Sequence, residues 1–407
     1  MKKIFLSTFC LFLGLMALAQ MPELTVEQHL QDYDFAVKYI EDNYAGFPNK
    51  VNDSTRADYE AMKFRLLSQV ASNKRTGWDA IAEYTGWFND YHTRLCLNSA
   101  DGEGRMKPAT DKYRAQVPIY YNELMEEYNP QPLAVKVTSK TFLVRFPSCY
   151  GDISKEWIDG SINAFHESGC ENLILDIRGN SGGSDLYWNP YWRLLADHDG
   201  EINEVEFRNS AAYRDTLLQE LRNEKVPAEI IQGVQAVFPM LQSVKFVPGS
   251  IVRQFLVNFT EGQAFSFANL QRVLESLSHP ELMNGKNSLH ISEVNNAVRR
   301  AALIIDNTVA SSGEALVEVL KATSNRTTVY GRDNTMGCLD FSNCNQVKMP
   351  NCGINVSVPM SRRMGLPESG IDMVGIAPDV RINLPLPAKL TDNIDAWVIW
   401  VAEQLEK

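Results

Sequence analysis

Apolar residues recur at helical spacing through the first quarter of the chain after its extreme N-terminus. Val26, Leu30, Tyr33, Val37 and Ile40 fall on one face of a helix. Tyr59, Met62, Leu66, Leu67 and Val70 repeat the pattern behind the capping pair Ser54-Thr55, and Ile81, Tyr84, Phe88 and Tyr91 carry a third face up to His92. The turns Phe47-Pro-Asn-Lys50 and Asn73-Lys-Arg-Thr76 separate them, so residues 20–105 are predicted to form a small helical domain. Farther on the pattern shortens: 116–121, 133–137 and 141–146 read as strands, Ile153–His166 as a helix, and Leu173–Ile177 as a strand buried on both faces. Strand, helix and buried strand in that order predict a βαβ crossover. Residues 201–295 read as mostly helical, with Leu217, Leu218 and Leu221, then Leu270, Val273 and Leu277, marking the faces. This insertion would be either a lid over a cleft or a stabilising layer. Ala301–Ile305 is a second buried strand feeding a helix from Glu314 to Ala322; short strands and turns follow from Val329 to Arg381. The expected class is α/β, a mixed sheet with flanking helices over residues 106–390, closed by a C-terminal helix within 391–407.

A chain of 407 residues can bury a large core, and 44% apolar with 22% charged residues marks a folded chain. A net charge of −11 argues against a nucleic-acid partner, since little cationic surface exists to displace phosphate counterions. Lys2 and Lys3 precede an apolar run from Ile4 to Leu18, and Ala17-Leu-Ala19 precedes Gln20. That order is a secretory signal over residues 1–19, with a periplasmic or extracellular mature chain and no spanning helix in it. A lipid anchor on Cys10 is disfavoured, because Cys10 lies inside the apolar run behind Ser-Thr-Phe. Export leaves Cys96, Cys149, Cys170, Cys338, Cys344 and Cys352, enough for disulfides whose pairing the sequence does not choose. Cys338, Cys344 and Cys352 lack the paired C-x-x-C spacing of a zinc site and read as structural disulfides or buried thiols.

Three segments carry candidate chemistry. Thr308-Val-Ala-Ser-Ser-Gly-Glu314 sets Ser311 between a buried strand and a helix N-terminus, where free N–H groups favour developing negative charge; the Ser312 N–H is one such donor. The same run also reads as an ordinary cap, with Glu314 completing a capping box. Asp176-Ile-Arg-Gly-Asn-Ser-Gly-Gly183 ends a buried strand in a glycine turn, suited to backbone approach to an anionic centre or simply to a tight bend. Its spacing fits no nucleotide-binding motif. His92 closes a helical face amid Asp90, Tyr91, Thr93 and Arg94, a setting equally open to a structural histidine.

Asp-x-His-Thr, the glycine turn, the Ser-Ser-Gly-Glu run and Gly375-Ile-Ala-Pro-Asp379 occur in that order. As a set they resemble the tail-specific, or C-terminal processing, serine peptidases, in the tricorn-like and retinoid-binding-protein-like branch, over about residues 25–385. The resemblance implies a ClpP/crotonase-like core; no PDZ module is expected, since too few residues separate His92 from the strand at 141. It implies Ser311 as nucleophile rather than Ser312, His92 as general base, and Asp372 as the acid orienting it, with Glu368 as second candidate. Backbone N–H groups of Ser312 and of Gly182 or Gly183 would hold the oxyanion. Related enzymes of the dyad branch carry lysine in a Thr-x-Gly-Lys segment; Thr335-Met-Gly-Cys338 lacks it. Two further departures are Tyr91 in place of a serine before the base, and an aspartate where glutamate is common. The implied reaction is acyl transfer to water on a peptide or unfolded protein, with no metal or organic cofactor. The competing reading is a silent member of the same scaffold that binds peptides or an apolar ligand. An esterase of the α/β-hydrolase type is the weaker enzymatic alternative.

Overall fold

The computed structural model describes residues 23–96, 129–223, 228–241, 244–249, 285–387 and 389–407. Its core is a six-stranded sheet of β2 (Leu133–Lys136), β3 (Thr141–Arg145), β4 (Asn172–Asp176), β9 (Arg300–Ile305), β10 (Thr327–Gly331) and β13 (Val380–Arg381). The spatial order is β13-β10-β9-β4-β3-β2, parallel throughout except that β2 runs antiparallel to β3. The near-continuous apolar character of the central strands follows from burial on both faces. Phe142, Val144, Leu173, Leu175, Leu303 and Ile305 point to one layer, under helix α4 (Lys155–Ser168) and helix α8 (Ser312–Thr323). Leu143, Ile174, Ala302 and Ile304 point to the other, under the C-terminal helix α9 (Ala396–Leu405). α4 is capped by Ser154, whose hydroxyl accepts the Trp157 N–H, and ends at Gly169 with φ 69° before β4 begins. β4 and β9 are parallel neighbours in register, Asp176 opposite Ile304, so the glycine turn and the Ser311 turn leave the sheet side by side.

A second sheet is antiparallel: β1 (Arg94–Cys96), β12 (Asn355–Arg363), β6 (Val205–Arg208) and β7 (Phe246–Pro248) in that order, with β11 (Phe341–Lys348) also on β12. The helices α1 (Val26–Asn43), α2 (Arg56–Ala71) and α3 (Gly77–Trp87) pack on it. Tyr33, Ile40, Tyr59, Leu66 and Tyr84 share one core with Phe341, Val356 and Val358. Because α3 leads directly to β1, this packing fixes where His92 sits.

The helical reading of 201–295 needs correction. The segment opens on β5 (Gly200–Asn203) and β6, and only then forms helices α6 (Ala211–Asn223) and α7 (Ala228–Val237). β5 pairs with β8 (Lys286–Leu289), and β6 joins the second sheet. The expected strand at 116–121 and the apolar face at Leu270, Val273 and Leu277 lie outside the described residues, as does the secretory signal expected over residues 1–19. The six described cysteines are free thiols, so no disulfide joins described residues. No described helix is long and apolar enough to cross a membrane, and no PDZ module occurs among the described residues.

Candidate active site

Ser311 holds φ 52°, ψ −122°, a left-handed setting that costs a non-glycine residue on the order of 1–3 kcal/mol. Its surroundings impose it. The Ala310 N–H donates to the Asn180 carbonyl at 3.1 Å, Gly313 N–H to the Ala310 carbonyl at 2.9 Å, and Met336 N–H to the Val309 carbonyl at 2.8 Å. From the other side the glycine turn presses in: a Cβ on Gly182 would lie 2.8 Å from both the Ala310 oxygen and the Ser311 Cβ. Strain of this kind marks a position held for geometry rather than comfort.

The two serines differ in what their hydroxyls do. Ser312 is buried; its Oγ donates to Asp185 Oδ1 at 2.6 Å and accepts from Trp188 Nε1 at 2.9 Å. Ser311 is half-buried and lines a cleft of about 970 Å³ that His92, Ser181 and Gly183 also line. Of the two glycines, Gly182 donates its N–H to Asn180 Oδ1 at 3.0 Å and is committed to the turn. The N–H groups of Gly183 and Ser312 donate to no described residue. Asn180, which the sequence did not single out, is the hub: its side chain also donates to the Phe146 carbonyl at 3.0 Å.

His92 follows a turn organised by Asp90, whose carboxylate accepts the His92 N–H at 2.9 Å and the Thr93 hydroxyl at 2.8 Å. The Cys338 sulfur lies 3.3 Å from His92 Nδ1 and 3.6 Å from Nε2. Burial pushes the His92 pKa below its usual 6.5, Arg94 adds to the shift, and Asp90 and a hydrogen bond to the Phe341 backbone oppose it. Burial also raises the Cys338 thiol well above its ordinary range, helped by Asp372 and Glu314, so sulfur faces the imidazole uncharged. This is the position where the sequence lacks the lysine of the dyad branch.

Asp372 is not brought to the ring. Its Oδ1 accepts the Leu339 and Asp340 N–H groups at 2.9 and 2.8 Å, and no hydrogen bond joins it to His92. Burial and the nearby Asp340 and Asp90 charges raise its carboxyl well above the ordinary range. Its hydrogen bonds fix the backbone beyond Cys338 rather than the histidine. Glu368 is exposed, with no hydrogen bond to the ring.

Glu314 joins the two halves of the site. Its carboxyl is fully buried and accepts the Ser311 N–H at 3.1 Å, the Thr335 hydroxyl at 2.5 Å, and the Gly337 and Cys338 N–H groups at 2.8 Å each. Burial outweighs these bonds and raises its pKa to about 7. The native state therefore holds this proton more tightly than the unfolded chain, and stability falls as pH rises from about 4.5 to about 7. Glu314→Gln removes that slope. It also leaves at least one backbone N–H unpaired whichever way the amide turns, costing about 1–3 kcal/mol. Urea denaturation from pH 4.5 to 8 is expected to show both effects, a lower midpoint and a flatter profile.

The cleft pairs a strained hydroxyl, two free N–H groups and an imidazole held neutral at ordinary pH, which are the parts of acyl transfer. Comparison with known proteins agrees with that chemistry. The model of "Peptidase family S41" matches residues 140–382. Among solved structures, mature CPAF superposes with a TM-score of 0.57 at 14% identity, covering 95% of this chain and 97% of that one. CPAF complexed with lactacystin gives 0.54 at 14%, covering 88% and 94%. A candidate peptidase from Parabacteroides merdae ATCC 43184 gives 0.52 at 16%, covering 87% and 89%. At these identities the structural likeness is one of fold. No curated protein matches the chain significantly.

Proposed function

Because the chain belongs to peptidase family S41 and is a serine-type peptidase, we propose that it is an exported endopeptidase acting through an acyl-enzyme on Ser311, with His92 as general base. The observation that carries this reading is the strained Ser311 turn opening on the same cleft as His92, while the neighbouring Ser312 hydroxyl is occupied by Asp185. In the first step His92 takes the Ser311 hydroxyl proton as Oγ attacks the peptide carbonyl carbon, and the carbonyl π electrons move to oxygen. The Ser312 and Gly183 N–H groups receive that oxyanion; each such donor is worth about 2.7–4 kcal/mol of barrier. Collapse breaks the C–N bond, and the imidazolium returns its proton to the leaving amine. Water, deprotonated by His92, then attacks the ester, releasing the acid and restoring Ser311.

Asp372 enters this scheme as a positioning residue. It anchors the 339–340 backbone beyond Cys338, and the neutral thiol packs against the imidazole edge without competing for its proton. Export rests on the charged and apolar pattern of residues 1–19.

The test is labelling by a serine-directed fluorophosphonate, followed by peptide mapping, together with digestion of a mixed peptide library. The adduct is expected on Ser311. Only neutral His92 accepts the hydroxyl proton, so the labelling rate should fall on the acid side with a midpoint below 6.5. Absence of both an adduct on Ser311 and library cuts would refute hydrolysis.

A further inference from the structure

We propose that the cleft contains a subsite for a cationic side chain, with Glu204 as the acceptor, so that the peptidase cuts after lysine or arginine. This rests on the reading of Ser311 as nucleophile. Glu204 links β5 and β6 and is 2% exposed, yet it lines the cleft shared by Ser311 and His92. One carboxylate oxygen accepts only the N–H of the next residue, Val205, at 3.0 Å; the other, Oε2, has no partner. A carboxylate oxygen buried without a donor is costly, and such groups in native proteins call for an explanation. An ammonium or guanidinium entering from the cleft supplies the missing donors.

The neighbouring charges leave that role to Glu204. Glu318 also lines the cleft, but both its oxygens are taken by Arg363 at 2.7 Å each. Arg363 approaches Asp340 as well, at 3.5 Å, so its own charge is answered. Asp185 is engaged by Ser312 and Trp188. The remaining cation of the cleft, Arg94, belongs to the His92 side, where it adds to the lowering of the histidine pKa.

The depth suits a long side chain. Ser311, Ala315 and Glu318 follow one another along one face of α8, and seven residues advance about 10 Å. The Glu204 segment is held beside that end of the helix. Val205 stands opposite Arg363 in register, and the Met364 N–H donates to the Glu204 carbonyl at 2.8 Å. The cleft lining includes the apolar Trp192, Ile202, Val205, Phe207, Ala315 and Val319, alongside polar residues such as Asn203 and Ser357. An alkyl stem would pack on that surface with its charged end at Glu204, the arrangement long cationic side chains adopt.

The test separates this subsite from catalysis. Ser311→Ala protein is titrated with a peptide carrying lysine at the cleavage position and with the same peptide carrying norleucine, which keeps the stem and removes the charge. The lysine peptide is expected to bind at least about tenfold tighter, and adding Glu204→Gln should shrink the gap to within about threefold. Library cuts by the unmodified enzyme should fall after lysine and arginine. Equal affinity for the two peptides, or a gap that survives Glu204→Gln, overturns the subsite. Because the peptide pair is read on unmodified Glu204 first, a folding defect in the variant cannot mimic that result. A lysine preference in binding with no cleavage by the unmodified enzyme would instead sink the hydrolytic reading and leave the subsite standing.

Discussion

Ser311→Ala is expected to lower kcat for a fluorogenic peptide by about four to six orders of magnitude, while Ser312→Ala stays within about tenfold of the unmodified enzyme. The two serines are adjacent and both precede Glu314, so the contrast depends entirely on geometry. The Ser312 hydroxyl is locked between Asp185 and Trp188 in the interior. Its removal costs some packing and a hydrogen bond, about 1–2 kcal/mol of stability, but alanine keeps the backbone N–H assigned to the oxyanion. Ser311 supplies the bond-forming oxygen and has no substitute. A third variant reads the backbone strain separately. Ser311→Gly should be as inactive as alanine yet more stable by about 1 kcal/mol, because glycine adopts positive φ without penalty. Steady-state kinetics and thermal melts on the three proteins decide the matter. Loss of activity in Ser312→Ala with activity retained in Ser311→Ala would reverse the assignment.

The sequence made the scaffold legible where burial was complete. Leu173–Ile177 and Ala301–Ile305 are uninterrupted apolar runs because helices cover both faces of the sheet, and their neighbours Gly182 and Ser311 were found because each follows such a run. It failed where a strand is short and half-buried. In 200–208 the two-residue alternation breaks at Glu204: Ile202 precedes it in one phase, and Val205 and Phe207 follow in the other. The slip hid two four-residue strands, whose partners β8 and β12 lie about 85 and 155 residues onward in the chain. Donor bookkeeping was hidden too. Nothing in a Gly-Gly pair says which N–H is spent on Asn180 and which faces the cleft. The carboxylate that orients a histidine is equally invisible to spacing: Asp372 falls at the expected offset before Gly375, and its side chain serves two backbone amides instead. Cys338, read in the sequence as a disulfide partner or buried thiol and as a missing lysine, proves to be the side chain against the imidazole.

The Asp and Arg of the glycine-turn motif have a different job from the glycines that follow, and Asp176→Ala is expected to cost about 3–5 kcal/mol of stability. Arg145 and Arg178 both donate to Asp176, at 2.8 and 2.7 Å, and both reach Asp395, at 3.3 and 2.7 Å. None of these four side chains is more than 4% exposed. Two positive and two negative charges balance; deleting Asp176 leaves two buried guanidiniums facing one carboxylate. Asp395 also caps α9 by accepting the Trp397 N–H at 2.9 Å, and Arg178 stacks over the Trp397 ring at 5.2 Å, so the cluster fastens the C-terminal helix to the end of β4. The two guanidiniums overcome burial and hold Asp176 down at about 2. A depressed carboxyl stabilises fully above its unfolded value near 3.8 and loses that contribution as pH falls toward 2, so the penalty of Asp176→Ala should be constant from pH 5 to 8 and shrink below pH 4. Hydrogen exchange should show α9 opening first in the variant. Isosteric replacement of the whole set by apolar residues should recover much of the loss, since what destabilises is the unanswered charge rather than the missing ion pair. If Asp176→Ala melted with the unmodified protein and α9 stayed protected, the motif's acidic residue would have to act at the cleft after all.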